Sequence, residues 1–148
     1  MKGAPAAMAY IVLISEEKEN LAAVHSLISG FGYEISEIVK PDIALNNLLT
    51  VKTSDLCIFD LTSRKPEVSI TTAKTVSDNF AIPVLFAINP DADINLVRKA
   101  LMTCPGGFIV QPVDQLQLRV TIETALMHQI EKQALRESED KYRAIVEN

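Results

Sequence analysis

Four short apolar runs and one short run interrupted by polar residues, separated by segments with helical periodicity, constrain the fold of this 148-residue chain more than any other feature. The run at 10–14 is aliphatic or aromatic throughout and does not alternate with polar residues, which is typical of parallel strands covered on both faces. The other predicted strands are 33–39, 55–60, 82–88 and 108–110. Predicted helices occupy 21–28, 41–49, 70–80 and 96–101, and a last helix begins near residue 114. This alternation predicts an α/β fold with helices on both faces of one parallel sheet.

The predicted fold brings polar residues together at one edge of the sheet. Five βα units usually adopt the flavodoxin-like strand order 2-1-3-4-5, in which the carboxyl ends of strands 1 and 3 are neighbours at the ligand-binding edge. Ser15 and Glu16 follow strand 1, and Asp60 ends strand 3. Two converging carboxylates can hold a divalent cation such as Mg²⁺. Acidic residues at such junctions also stabilise helix N-termini, so the spacing alone leaves both interpretations open.

Composition excludes several classes of function. Acidic residues outnumber basic ones by 19 to 14, and the resulting net charge of −5 disfavours binding to nucleic acid or to anionic membranes. No apolar run approaches the roughly 20 residues of a transmembrane helix. Cys57 and Cys104 form no metal-binding or redox motif with each other or with the two histidines. A protein of the reducing cytoplasm, without a membrane segment in this chain, is therefore predicted.

The last predicted helix continues beyond the expected end of the domain, because neither Gly nor Pro occurs from residue 116 to beyond 136. Roughly the last 20 residues are expected to project from the domain, either as a solvated tail or as a signalling linker. Leu118, Ile122 and Ala125 recur at the 4,3 spacing of a helix seam, and Leu126 and Ile130 extend the stripe. This stripe predicts either self-association or, up to about Leu126, packing against the domain's own sheet.

Over about residues 9–130, the chain resembles the receiver domains of two-component response regulators. The resemblance depends jointly on four segments: VLISEE at 12–17, LCIFDLT at 56–62, IPVLF at 82–86 and GFIVQPV at 107–113. The segment 134–148 resembles the helical lead-in of a PAS sensor domain. The resemblance implies an N-terminal extension at 1–8, a receiver-like domain at 9–130 and a helical linker at 131–148 toward a PAS-like domain. It also implies a multidomain sensor such as a histidine kinase.

The resemblance implies roles for individual residues. Asp60 corresponds to the phosphoacceptor of the family. Glu16, Asp60 and the backbone carbonyl of Thr62 correspond to ligands of Mg²⁺. Phe108 aligns with an aromatic residue that family members use as a rotameric switch, although a core phenylalanine at a strand start requires no such role.

Three positions depart from the family pattern. Ser15 replaces one of two acidic residues, Ile88 (or Ala87 in a shifted alignment) replaces a hydroxyl residue, and Gln111 replaces a lysine. Phosphoryl transfer depends on positioning and charge stabilisation, so these replacements imply a degenerate receiver that binds Mg²⁺ weakly. The resemblance also implies a cis peptide bond between Gln111 and Pro112.

These observations predict a regulatory module of a phosphorelay rather than an enzyme. A histidine kinase or phosphotransfer domain would phosphorylate Asp60, and the last helix would pass the signal to a PAS or kinase domain and support a homodimer. The alternative is a phosphorylation-independent pseudo-receiver that acts in docking or dimerisation. A third hypothesis, an enzyme for a phosphorylated ligand, is disfavoured because no glycine-rich loop follows strand 1.

Overall fold

The computed structural model describes residues 9–39, 53–103 and 106–147. The predicted extension at 1–8 and the predicted helix at 41–49 lie outside the described residues. The strands are β1 (Tyr10–Ser15), β2 (Glu34–Val39), β3 (Leu56–Asp60), β4 (Val84–Ile88) and β5 (Phe108–Val110). The described helices are α1 (Ala22–Gly30), α2 (Pro66–Phe80), α3 (Ile94–Thr103) and α4 (Gln115–Glu147). A 3-10 turn, Lys18–Leu21, precedes α1.

The five strands form one parallel sheet in the order β2-β1-β3-β4-β5, which confirms the predicted fold class. In β1 and β3 the register pairs Ile14 with Phe59, and in β3 and β4 it pairs Asp60 with Ala87. The carboxyl ends of these three strands are therefore level with one another. The sheet edge that they form is the edge at which the sequence places its polar residues.

Both faces of the sheet are covered, because successive strand residues point to opposite sides. On one face Cys57 and Phe59 of β3 pack with apolar residues of α2 and α3. On the other face Ile58 packs with α1 and with Leu118 and Ile122 of α4. All five residues of β3 are buried, which explains why its sequence is continuously apolar up to its final aspartate.

The ends of two helices have identifiable local causes. The side chain of Asp114 accepts a hydrogen bond of 3.0 Å from the backbone N–H of Gln117, and so caps the start of α4. The helix then runs for 33 residues, which confirms the long last helix predicted from the sequence. Helix α2 begins with Pro66 in its first turn and ends before Ala81, whose φ of 55° is left-handed.

Helix α4 is held on the sheet by the stripe that the sequence identified. Leu118, Ile122 and Ala125 are 2%, 0% and 8% exposed, and all three belong to the core on the α1 side of the sheet. Near the end of this contact, Gln129 Nε2 donates a 2.5 Å hydrogen bond to the carbonyl oxygen of Ala81. The packing interpretation of the stripe is confirmed up to Leu126, whereas Ile130 is exposed. None of the helices that the structure describes is long and apolar enough to cross a membrane.

Candidate functional site

The site is centred on Asp60, the last residue of β3, whose side chain is completely buried. Ser15, the last residue of β1, is 5% exposed and lies beside it, since the register pairs the preceding residues Ile14 and Phe59. The sequence placed Ser15 and Asp60 at one sheet edge, and the structure brings them into direct contact.

Each oxygen of the Asp60 carboxylate accepts two hydrogen bonds. Oδ2 accepts one of 2.7 Å from the Ser15 hydroxyl and one of 2.9 Å from the Asn20 side-chain amide. Oδ1 accepts one of 2.8 Å from the backbone N–H of Thr62 and one of 2.5 Å from its hydroxyl. All four donors are neutral. A buried carboxylate needs such partners, because an unpaired charge is costly in the protein interior.

The turn after β1 positions two of these donors. The Ser15 hydroxyl oxygen accepts a hydrogen bond of 3.1 Å from the Glu17 N–H and lies 2.8 Å from the Glu17 carbonyl oxygen, so its single proton is shared between that carbonyl and Asp60. The Asn20 N–H donates to the Glu17 carbonyl at 3.0 Å, and this bond winds the 3-10 turn that carries the Asn20 amide to Asp60. Sequence analysis missed Asn20, because no spacing rule links it to Asp60.

The arrangement does not fit a bound Mg²⁺ ion. Hard cations are held by oxygen lone pairs of several ligands, above all carboxylates. The lone pairs of Asp60 are already directed at O–H and N–H donors of Ser15, Asn20 and Thr62. Across residues 9–39, 53–103 and 106–147, no three His, Cys, Asp or Glu side chains form a group that could hold a metal. Glu16, the other carboxylate predicted for this site, is partly exposed.

The remaining predicted residues line the neighbouring strands. Ala87 is fully buried beside Asp60, and Ile88 is 9% exposed, so the end of β4 presents apolar side chains at this edge of the sheet. The backbone N–H of Gln111 donates to the Ile88 carbonyl at 2.9 Å, which places Gln111 at the same sheet edge. The peptide bond from Gln111 to Pro112 is cis, as predicted.

Phe108 and Cys57, two further residues considered in the sequence analysis, both pack against apolar neighbours. The ring of Phe108 is partly buried and packs against the ring of Phe86, with 5.9 Å between centroids. Cys57 lies in the middle of β3, where burial raises the pKa of its thiol to about 11, with a smaller lowering effect from a hydrogen bond to Ser54. A neutral, buried thiol of this kind acts as a small apolar side chain.

Comparisons with known proteins show the fold. No family model matches the chain, and no curated protein matches its sequence. The signal receiver domain of a modulated diguanylate cyclase from Desulfovibrio desulfuricans G20 superposes with a TM-score of 0.74 at 16% identity, covering 84% of this chain and 98% of that one. The signal receiver domain of an HD domain-containing protein from Pseudomonas fluorescens Pf-5 gives 0.73 at 20% identity, covering 86% and 93%. NtrX from Brucella abortus gives 0.74 at 19% identity, covering 88% of this chain and 29% of that one.

Proposed function

We propose that this chain is a regulatory module with the receiver fold that acts through protein contacts and does not accept a phosphoryl group. The observation that carries the proposal is the complete burial of Asp60, with both carboxylate oxygens accepting hydrogen bonds from Ser15, Asn20 and Thr62. This corresponds to the phosphorylation-independent alternative that the sequence left open. The similar solved structures described as signal receiver domains support the regulatory class.

The hydrogen bonds oppose reaction at Asp60. An attacking carboxylate oxygen needs a free lone pair, so Oδ2 would first have to lose the bond from Ser15 or the bond from Asn20. A hydrogen bond to a charged group contributes about 1.5–3 kcal/mol, which is the cost of freeing one lone pair. Such a cost slows the reaction by about 10–10²-fold. Gln111, at the position of the family's lysine, is neutral and does not offset the charge of an incoming phosphoryl group.

Asp60 has a structural role in this proposal. Its carboxylate joins the end of β1, the turn that carries Asn20 and the segment after β3 through one set of hydrogen bonds. Removing the carboxylate would leave the partly buried donors of Asn20 and Thr62 without this acceptor, which explains an acidic residue at a position that carries out no chemistry. Helix α4 is the element through which we propose that the module passes its signal to a PAS-like domain.

The competing hypothesis is phosphorylation of Asp60 by a histidine kinase or phosphotransfer domain. One observation favours it: Asp60 ends the central strand β3 at the carboxyl edge of the sheet, where open α/β folds bind their ligands. The two hypotheses differ in whether Oδ2 can be freed from its donors.

Amide NMR spectra in Mg²⁺ with beryllium fluoride, an acyl-phosphate analogue, distinguish the two hypotheses. We expect the amide signals of Thr62 and Gln111 to stay where Mg²⁺ alone leaves them. A double variant, Ser15→Asp with Gln111→Lys, restores the family's charges and is the positive control. Shifts of both signals in the unmodified protein that vanish in Asp60→Asn would refute the proposal.

A further inference from the structure

Helix α4 carries a second apolar stripe on the side opposite its contact with the sheet. Leu116, Val120, Met127 and Ile130 are 70%, 54%, 58% and 65% exposed. At about 100° per residue, these four lie within roughly 80° of one another, and their centre lies roughly 150° from that of the buried residues. Together with the exposed Ala134 they form what we call the outer stripe.

The outer stripe has the repeat of a coiled-coil seam. Its apolar members at 116, 120, 127, 130 and 134 alternate in steps of four and three once position 123 is included. Position 123 is occupied by Glu123. Its carboxylate lies 3.6 Å from Arg119 Nε and accepts a hydrogen bond from the Tyr33 hydroxyl. The one polar member of the stripe is therefore partly neutralised by its neighbours.

The outer stripe extends about one turn past the contact between the helix and the domain, and the next positions of its repeat are Glu137 and Lys141. Gln129 contacts Ala81 at the end of α2, and the helix goes on through Glu147. Ile130 and Ala134 are exposed on the turns that follow this contact. Side chains that only packed within the domain would not need to keep this spacing beyond the contact with Ala81.

We propose that the outer stripe is the seam of a parallel, two-stranded coiled coil formed with a second copy of this chain. A heptad seam needs a partner with the same repeat, and a two-fold symmetric pair supplies it by placing the stripe against itself. Because the core-facing residues Leu118 and Ile122 point the other way, the two domains lie on the outer sides of the pair. A parallel pair brings Met127 against its own copy and keeps both domains at the same end.

The exposed area sets the expected strength of association. The four large side chains of the outer stripe expose roughly 100 Å² each, which gives about 800 Å² for a pair. Stable specific interfaces bury about 1,200–2,000 Å². We therefore expect a weak dimer, with a Kd on the order of 10–100 µM. The inference deepens the proposed contact-based function by naming its partner as a second copy of the chain.

Analytical ultracentrifugation of the full chain tests the seam. We expect a concentration-dependent mass for the unmodified protein and a Kd at least about tenfold weaker for Met127→Glu, because the variant buries a charge. His128→Glu is the matched control, since His128 is exposed and lies about 100° around the helix from Met127. An unmodified chain that stays monomeric up to about 1 mM, or equal weakening by both variants, would overturn the proposal.

Disulfide formation tests the orientation. In a Cys104→Ser background, where Cys57 is buried, Met127→Cys places a thiol at the seam and His128→Cys places one beside it. We expect the first to oxidise to a dimer at least about tenfold faster, because a parallel pair brings each Met127 position against its copy. Equal rates would refute the parallel seam. Equal oxidation rates would not affect the proposal that Asp60 accepts no phosphoryl group. A response to beryllium fluoride would refute that proposal and would not affect the seam.

Discussion

Replacing Ser15 with Asp tests whether neutral donors, rather than a cation, hold Asp60. The substitution removes the hydroxyl that donates to Oδ2 at 2.7 Å and puts a second carboxylate in its place. Both groups are buried, at 5% and 0% exposure, so water screens their repulsion poorly. We expect the variant to be less stable without Mg²⁺ and to regain stability when Mg²⁺ is added.

The size of the loss follows from the contact distance. Two carboxylates about 3 Å apart repel by roughly 5 kcal/mol at an effective dielectric constant of about 20. The pair avoids this by taking up one proton, which costs about 4 kcal/mol at pH 7 for a carboxyl group of ordinary pKa. The resulting O–H···O⁻ bond replaces the one lost with Ser15. The free energy of unfolding should therefore fall by about 3–4 kcal/mol at pH 7.

The variant should also change the pH dependence of stability. Its folded state holds one proton that the unfolded state releases above about pH 4, so its stability falls as pH rises. Urea unfolding at pH 5 and pH 7 should show a loss smaller by about 2–3 kcal/mol at pH 5. Ser15→Asn has the shape of the Asp variant without its charge and serves as the control.

Added Mg²⁺ gives the second measurement. An ion present at about a hundred times its Kd stabilises the folded state by about 2.7 kcal/mol. We expect a gain of this order for Ser15→Asp and less than about 0.5 kcal/mol for the unmodified protein at the same concentration. Equal gains for the two proteins, or a Ser15→Asp variant as stable as Ser15→Asn in metal-free buffer at pH 7, would refute the reasoning.

Two other predictions concern the core. A Cβ at Gly106 would lie 1.9 Å from the Val84 carbonyl oxygen, so Gly106→Ala should lower the unfolding free energy by about 2 kcal/mol or more; Gly30→Ala, with nothing within 4 Å, should not destabilise. Because burial raises the pKa of Cys57 from 9.0 to about 11, the unfolded thiol ionises first as pH rises. As pH rises from about 9 to 11, the free energy of unfolding should therefore fall by up to about 3 kcal/mol relative to that of Cys57→Val. The same pH dependence in both proteins would contradict this.

The fold was predictable because buried parallel strands have a sequence signature. Four of the strands are mainly apolar runs, β2 is interrupted by polar residues, and the observed bounds differ from the predicted ones by two residues at most. The largest difference is at β4, which begins at Val84 rather than at residue 82. Pro83 has no N–H to donate to a neighbouring strand, and this explains the later start.

The site was predictable only in part. Strand order alone brings Ser15 beside Asp60, because each ends a neighbouring strand. The contact from Asn20 depends on the 3-10 turn and on the Glu17 carbonyl that winds it, and no spacing in the sequence encodes that turn. In α4, periodicity identified the stripe of Leu118, Ile122 and Ala125 that the sheet covers, but it did not show which other apolar side chains the sheet leaves exposed. That choice depends on the rotation of the helix against the sheet, which is a tertiary property.

The contact of α4 with the sheet also fixes an angular reference for everything that follows in the helix. Leu118 and Ile122 cannot turn away from the sheet without exposing buried apolar area, so the helix cannot spin about its axis. One residue inserted after Gln129 would rotate all later turns by about 100°, whereas seven would return them to within about 20°. Changes of length at this point therefore alter the direction in which the projecting turns face, and only steps close to a whole number of helical turns, such as seven residues, leave that direction nearly unchanged.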